Sequence, residues 1–373
     1  MNRLCVLFPR LRPIAYQKDV GQIPLSFARD LGWETCLVHT NVEPTPVDAS
    51  ALVPWVECHD LGYWPNRAQR FVELSKWLHE HAHRFDTLLL YQLTLESAAY
   101  AHIYKEIRPD GVCFLKLDMD ERSAAMLSSR RGWKQHLNDR AFASAPIDFF
   151  TVETTTLRDR VAPYFSGIGK PLHIFANGFT LDQHLIERRP PAKQRRVLNV
   201  ARLGMPQKDT EGLVRAFLAI PAAERQGWTL ELVGPIENNF DAWLAEHGSD
   251  EIRLIGPIQD RDVLYRRFEE ASVFALSSRW ESFGLVLAEA AAARCYLVST
   301  DVGAARDITQ NGTLGDVVPT NDASALTQAI RRAMNRDDRS ELGETVRQRV
   351  LANYAWSSLC HEIGRVITGY RGA

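Results

Sequence analysis

The order of apolar and helical segments predicts an α/β protein built from two consecutive parallel-sheet domains. Three observations carry this. Short β-branched or leucine-rich runs alternate with helical stretches through the first half, as a parallel sheet covered on both faces requires. A polar, basic, proline-paired stretch, Glu187-Arg-Arg-Pro-Pro-Ala-Lys-Gln-Arg-Arg196, interrupts that series and reads as a linker. A second series of the same kind follows it. The 373 residues suffice for two domains of ordinary size, each with its own core.

In chain order, Leu4–Phe8 reads as the first strand, Gly21–Leu31 as the helix after it, and Thr35–His39 as the second strand. Thr87–Tyr91, Gly111–Asp118 and Phe149–Glu153 follow as later strands, and Leu172–Phe175 as a short one closed by the turn pair Asn177-Gly178. The second series contains Val197–Val200, Thr229–Gly234, Ile252–Gly256, Val273–Leu276 and Cys295–Thr300, with a helix over Gly284–Ala293. The expected domains are 1–186 and 187–354.

Bulk properties exclude several classes. Hydrophobic residues are 45% and charged residues 24%, the composition of a soluble globular chain. No stretch approaches the roughly 20 apolar residues of a membrane span, and Met1–Pro9 reads as a strand rather than a signal peptide. The six cysteines are scattered without a Cys-x-x-Cys pair, so reduced, buried thiols in a cytoplasmic protein are expected. A formal net charge of −2 argues against a nucleic-acid partner.

The chemistry concentrates in the second series. Glu281 and Glu289, with seven residues between them, straddle the start of the Gly284–Ala293 helix just beyond an apolar strand. In an open α/β sheet that is where ligands lie, and where helix N-termini offer amides to anions. Carboxylates only accept hydrogen bonds, which suits a ligand rich in hydroxyls. Upstream, Asn199-Val-Ala-Arg202-Leu-Gly-Met-Pro-Gln-Lys208 is a strand followed by a loop with two cations, suited to a diphosphate; the plain alternative is a solvated basic loop. Together these describe a nucleotide-sugar site.

Arg202, Lys208, the strand ends at Gly234-Pro235 and Ile255-Gly256-Pro257, and Glu-x7-Glu in this order resemble the donor-site signature of the retaining glycosyltransferases of family four. The resemblance implies a GT-B fold, two Rossmann-like doubly wound domains facing a central cleft, with a C-terminal helix about 355–373 crossing back to the first domain. It implies that Arg202 and Lys208 hold the diphosphate, Glu289 the ribose and Glu281 the sugar. The Phe283, Gly284 and Leu285 amides would lie near the diphosphate, with Gly21, Gly234 and Ile258 completing the donor site and the base near Gly256–Ile258. Family members place the Lys one position closer to the Arg; Pro206 is expected to absorb the extra residue. Where many relatives have a His near the reacting sugar, this chain has Asp118, taken as the polar group near the anomeric centre. Tyr91, Gln92 and Glu153, at strand ends of the first domain, are expected to hold acceptor hydroxyls. Gly21 stands alone where the family often has two glycines, so a simple turn glycine is a competing reading.

No cofactor is expected: the nucleotide sugar, UDP- or GDP-linked, is substrate, and no metal is required, although Asp118-x-Asp120 resembles the metal pair of the other large glycosyltransferase class. His79, His81 and His83 read as a polar helix surface rather than a metal tract. Arg130, Arg131, Trp133 and Lys134, with Arg140 and Phe142, leave open a peripheral contact with the inner face of a membrane. The acceptor is expected to be a saccharide or lipid-linked saccharide of polysaccharide or glycolipid assembly. Two other readings stay open: a non-catalytic subunit that binds donor or lipid as a scaffold, and a nucleotide-sugar epimerase on the same fold.

Overall fold

A computed structural model of the chain describes residues 2–44, 52–129, 133–180 and 189–371. They form two compact units: Met1–Gly178 with Trp356–Ala373, and Phe179–Ala355.

The first unit is a seven-stranded sheet: β1 (Arg3–Leu11), β2 (Glu34–Asn41), β3 (Glu57–Tyr63), β4 (Thr87–Tyr91), β5 (Val112–Lys116), β6 (Phe149–Val152) and β7 (Leu172–Ile174). The order is β3-β2-β1-β4-β5-β6-β7 and every pairing is parallel. Its central strands are apolar on both faces because helices cover both; Leu88, Leu89, Phe114 and Phe150 are fully buried. Strand order reverses between β1 and β4, so the chain leaves these neighbours in opposite directions and opens a crevice at their carboxyl ends.

The second unit repeats the plan with six strands: β8 (Gln194–Val200), β9 (Thr229–Val233), β10 (Ile252–Gly256), β11 (Ala271–Leu276), β12 (Tyr296–Thr300) and β13 (Gly315–Val318). The order β10-β9-β8-β11-β12-β13 is again parallel and reverses between β8 and β11.

Two points differ from expectation. The strands β3 and β13 carry no apolar run; both are sheet edges, where half-exposed polar residues suffice. The second unit begins at Phe179, whose N–H donates to Tyr354 O (3.0 Å) and which pairs with Ala355. The boundary expected at 186/187 and the first residues of the expected linker lie outside the described residues. The final helix, Trp356–Arg371, belongs to the first unit. Arg371 fixes it there, its guanidinium donating to Asn2 Oδ1 (2.6 Å) and Thr87 Oγ1 (2.9 Å).

Candidate functional site

In the second unit the crevice is built from two loops, one after β8 and one after β11. Buried Asn199 ties the two strands at the reversal, its Nδ2 donating to Ala275 O (2.8 Å). The β8 loop then makes a turn over Met205-Pro206-Gln207-Lys208, closed by Lys208 N–H to Met205 O (2.8 Å). Pro206 occupies the second position, where its fixed φ favours such a turn.

The two loops are laced together. Gln207 O accepts from Arg279 N–H (2.7 Å), Gln207 Nε2 donates to Trp280 O (2.9 Å), and Ser277 Oγ donates to Lys208 O (2.9 Å). Lys208 Nζ lies 2.5 Å from Glu281 Oε1, which also accepts from Ser278 Oγ (2.6 Å). The candidate phosphate cation and the candidate sugar carboxylate are thus partners, 17% and 10% exposed. Arg202 is exposed and, among the described residues, is held by Gln207 Oε1 at 3.3 Å.

Glu289 is half-buried on the helix Leu285–Ala292, with Arg261 Nη2 3.8 Å away. Burial raises its carboxyl above the ordinary range, and Arg261 works against that rise. Gly284 starts this helix at φ 83°, leaving the Gly284 and Leu285 amides in the first turn, where helical N–H groups lack intrahelical acceptors. Phe283 differs from a ligand contact in its side chain, which is buried against Tyr354, while its carbonyl accepts from Ala304 N–H (2.8 Å). Gly234, at φ 134°, is glycine for a backbone reason: a Cβ there would lie 1.9 Å from Ala201 O, so its absence lets the β8 loop close. Ile258 is half-buried in the loop after β10.

In the first unit the expected residues separate. Glu153, expected to hold acceptor hydroxyls, is instead sealed in: Lys116 Nζ is 2.8 Å away, both side chains are 0% exposed, and the Asp118 N–H donates to Oε1 at 3.0 Å. Burial raises the Glu153 carboxyl against the pull of Lys116. It positions the Asp118 loop rather than facing a ligand. Tyr91 is buried with its hydroxyl unpartnered, edge-on to Phe8 at 5.2 Å. Gln92 is exposed, at φ 63°, and Asp118 is half-buried at φ 44°. Both line an open cavity of about 450 Å³ at the carboxyl ends of β4 and β5. Left-handed φ at two non-glycine residues of one crevice is the kind of backbone strain that gathers at ligand sites. Gly21 lies inside the helix Asp19–Leu31, and the space left by its missing Cβ is taken by Tyr16 O, 2.2 Å from the Cβ position.

Two residues of this crevice went unread in the sequence, Lys116 and Asp19. A lysine inside the apolar run Val112–Leu117 was a usable signal, since such a charge must find a partner. Asp19 opens the helix, is buried, and has an Oδ2 without a partner among the described residues. Burial raises its carboxyl to about 7, with Lys116 opposing and Asp118 and Glu153 adding to the rise.

His79 and His81 lie on the helix Arg67–His81, and His81 stacks on Trp77 at 4.6 Å. Among the described residues no cluster of three or more His, Cys, Asp or Glu could hold a metal ion. Of the expected membrane-facing group, residues 130–132 and the side chains of Trp133 and Lys134 lie outside the described residues; Arg140 is exposed, but Phe142 is core at 1% exposure. Among the described residues, no helix is long and apolar enough to cross a membrane.

Comparison with known proteins fits this geometry. The chain shares its fold over nearly its full length with sucrose-phosphate synthase from Thermosynechococcus elongatus, with a TM-score of 0.72, 18% identity and 99% of each chain covered. It does so also with the Anabaena protein HepE in complex with UDP-glucose, with a TM-score of 0.69, 14% identity, and 99% and 100% of the two chains covered. These likenesses define the GT-B class of fold. Residues 183–349, within the second unit, match the model of the family "Glycosyl transferases group 1". A lipopolysaccharide core biosynthesis mannosyltransferase of Rhizobium leguminosarum bv. viciae is 30% identical over 175 residues, 44% of this chain and 49% of that protein. The chain spans about half the length of the first curated relatives it matches, 49% and 44%.

Proposed function

We propose that the chain is a retaining glycosyltransferase that moves a sugar from a UDP- or GDP-linked donor to a hydroxyl of a saccharide or lipid-linked acceptor in polysaccharide or glycolipid assembly. The observation that carries this is the pre-assembled set at the β8/β11 reversal: Arg202 and the Lys208–Glu281 pair on loops fixed by each other. Cations aimed at a leaving diphosphate stabilise the charge that develops as the glycosidic bond breaks, without reorganisation at that moment.

In this reading the diphosphate takes Arg202 and Lys208, and Glu281, released from Lys208, accepts from sugar hydroxyls. Glu289 accepts from the ribose, and the Gly284 and Leu285 amides face the phosphates. In the first unit, the acceptor sits in the cavity lined by Gln92 and Asp118. The two cations supply the charge a metal would otherwise supply, so turnover is independent of magnesium. A donor structure bound to a protein of the same fold, the UDP-glucose complex of HepE, supports the choice of donor class; a mannosyltransferase among the relatives supports a hexose as the group moved.

The test is the double variant Arg202→Ala, Lys208→Ala, assayed for turnover of nucleotide sugars. Losing one such donor costs about 10²–10³ in rate, so the double variant should lose at least that much while keeping its melting temperature. Undiminished turnover would sink the site. Nucleotide binding with no turnover in the unaltered protein would favour the scaffold reading.

A further inference from the structure

Beside the Asp118 cavity, and sharing Gln92 and Thr94 with it, lies a second cavity of about 240 Å³ at the carboxyl ends of β1 and β4. Three arginines line it, Arg10, Arg67 and Arg70, against one carboxylate, Glu96. On the assignment of the neighbouring crevice to an acceptor, we propose that this cavity binds an anionic substituent of that acceptor, a phosphate or a carboxylate.

Each arginine is placed by a local feature that the fold alone does not call for. Between Phe8↔His39 and Leu11↔Asn41 the pairing of β1 with β2 runs three residues against two, a bulge. Bulges re-aim side chains, and Arg10 sits in this one. It is exposed, and among the described residues no hydrogen bond or ion pair engages it. Arg67 and Arg70 are the first and fourth residues of the helix Arg67–His81, whose first turn holds no acidic residue. A helix N-terminus behaves as roughly half a positive charge, which disfavours cations there. Arg67 pairs with Glu96; Arg70 is held by Trp64 O (2.7 Å) and Pro65 O (2.9 Å), bonds that orient its guanidinium without neutralising it.

A second helix, Leu95–Ile107, also starts at this cavity, N-capped by Thr94. Two positive helix ends and three guanidiniums therefore meet one carboxylate, in a chain whose formal net charge is −2. The floor is apolar: Phe71 and Tyr100 pack at 5.3 Å. Low polarity beneath unpaired cations strengthens their attraction for an anion, and guanidinium groups match the fork geometry of carboxylate and phosphate.

The experiment separates this site from the donor site by removing the latter. Full-length protein carrying Arg202→Ala and Lys208→Ala is titrated calorimetrically with a methyl hexoside, the corresponding hexose 6-phosphate and the corresponding hexuronate. At least one anionic sugar should bind about tenfold or more tighter than the neutral one. Its identity distinguishes phosphate from carboxylate. Adding Arg10→Gln and Arg70→Gln should abolish that preference. Arg10→Gln alone should weaken it severalfold at an unchanged melting temperature, which guards against misfolding of the Arg70 variant. Equal binding of neutral and anionic sugars, no binding of any, or a preference that survives both substitutions would overturn the proposal. So would UDP binding that Arg10→Gln and Arg70→Gln remove, which would make the cavity part of the donor site. Titration of the unaltered protein with UDP and GDP tests the donor reading separately.

Discussion

The two units reverse strand order at corresponding places, β1/β4 and β8/β11, and each gathers charge at the carboxyl ends of those strands. They handle it differently. In the second unit the central ion pair, Lys208–Glu281, is 17% and 10% exposed and rests on loops that bond to each other. Water reaches it, so either partner can exchange the other for a ligand. In the first unit the pair Lys116–Glu153 is 0% exposed, and its remaining bonds go to backbone: Lys116 to Phe175 O (2.9 Å), Glu153 to the Asp118 amide. Such a pair cannot exchange partners; it fixes the loop that carries Asp118. The same topology thus supports one crevice whose ion pair is partly open to water and another whose ion pair is sealed, with exposed cations set at its rim.

The largest effect that tests this contrast is on stability. Lys116→Met leaves Glu153 buried without its counter-charge, and breaking a buried pair in this way costs about 3–5 kcal/mol. Denaturant unfolding should show a lowered midpoint, and adding Glu153→Leu should recover a good part of the loss. Lys208→Ala should cost less than Lys116→Met, because Glu281, though buried, keeps the bond from Ser278 Oγ and a little access to water. If the two lysines cost alike, the division into sealed and exchangeable pairs fails.

A smaller effect belongs to Asp19. Its carboxyl is raised to about 7, chiefly by burial, opposed by Lys116 and reinforced by Asp118 and Glu153. The folded state therefore binds this proton more tightly than the unfolded state does. Stability from this group is fully present below the ordinary carboxylate range and is lost as pH rises from about 4 toward 7. Asp19→Asn keeps the shape without the titration, so its stability should exceed that of the unaltered protein at pH 8 by about 4 kcal/mol, with the gap closing at pH 4. A pH-independent difference between the two would remove Asp19 from the buried cluster.

How much of this the sequence disclosed depends on whether the partners are neighbours along the chain. Arg202, Lys208, Glu281 and Glu289 fall in two short segments, each directly after an apolar strand, so position and chemistry could be read together. Lys116 was visible as a charge in an apolar run, yet its partner is 37 residues away and gave no local sign of the pairing. Arg10, Arg67 and Arg70 come from a bulge and from the start of a helix two strands later, and only the pairing register brings them to one cavity. The edge strands β3 and β13 escaped for a related reason: unlike the edges β7 and β10, they show no alternation of apolar with polar residues. Gly234 and Gly21 were legible as glycines that matter, but their backbone partners, Ala201 and Tyr16, were not.

The smallest effect sharpens the exchangeable side of the comparison. Burial raises the Glu289 carboxyl above its ordinary value, against Arg261 at 3.8 Å. Only the ionised form can accept from both ribose hydroxyls. Nucleotide affinity should therefore be full at high pH and fall as pH drops through that raised value, earlier than an ordinary carboxylate would give. Glu289→Gln should lower affinity by about tenfold at pH 8, the loss of a hydrogen bond to a charged acceptor, and should flatten the pH dependence. The measurement is calorimetric titration with UDP and GDP between pH 5 and 8. Because Glu289 sits at the edge of the crevice, 24% exposed, its substitution should leave the melting temperature of the free protein nearly unchanged. A variant that loses affinity and retains the full pH dependence would move the titrating group elsewhere.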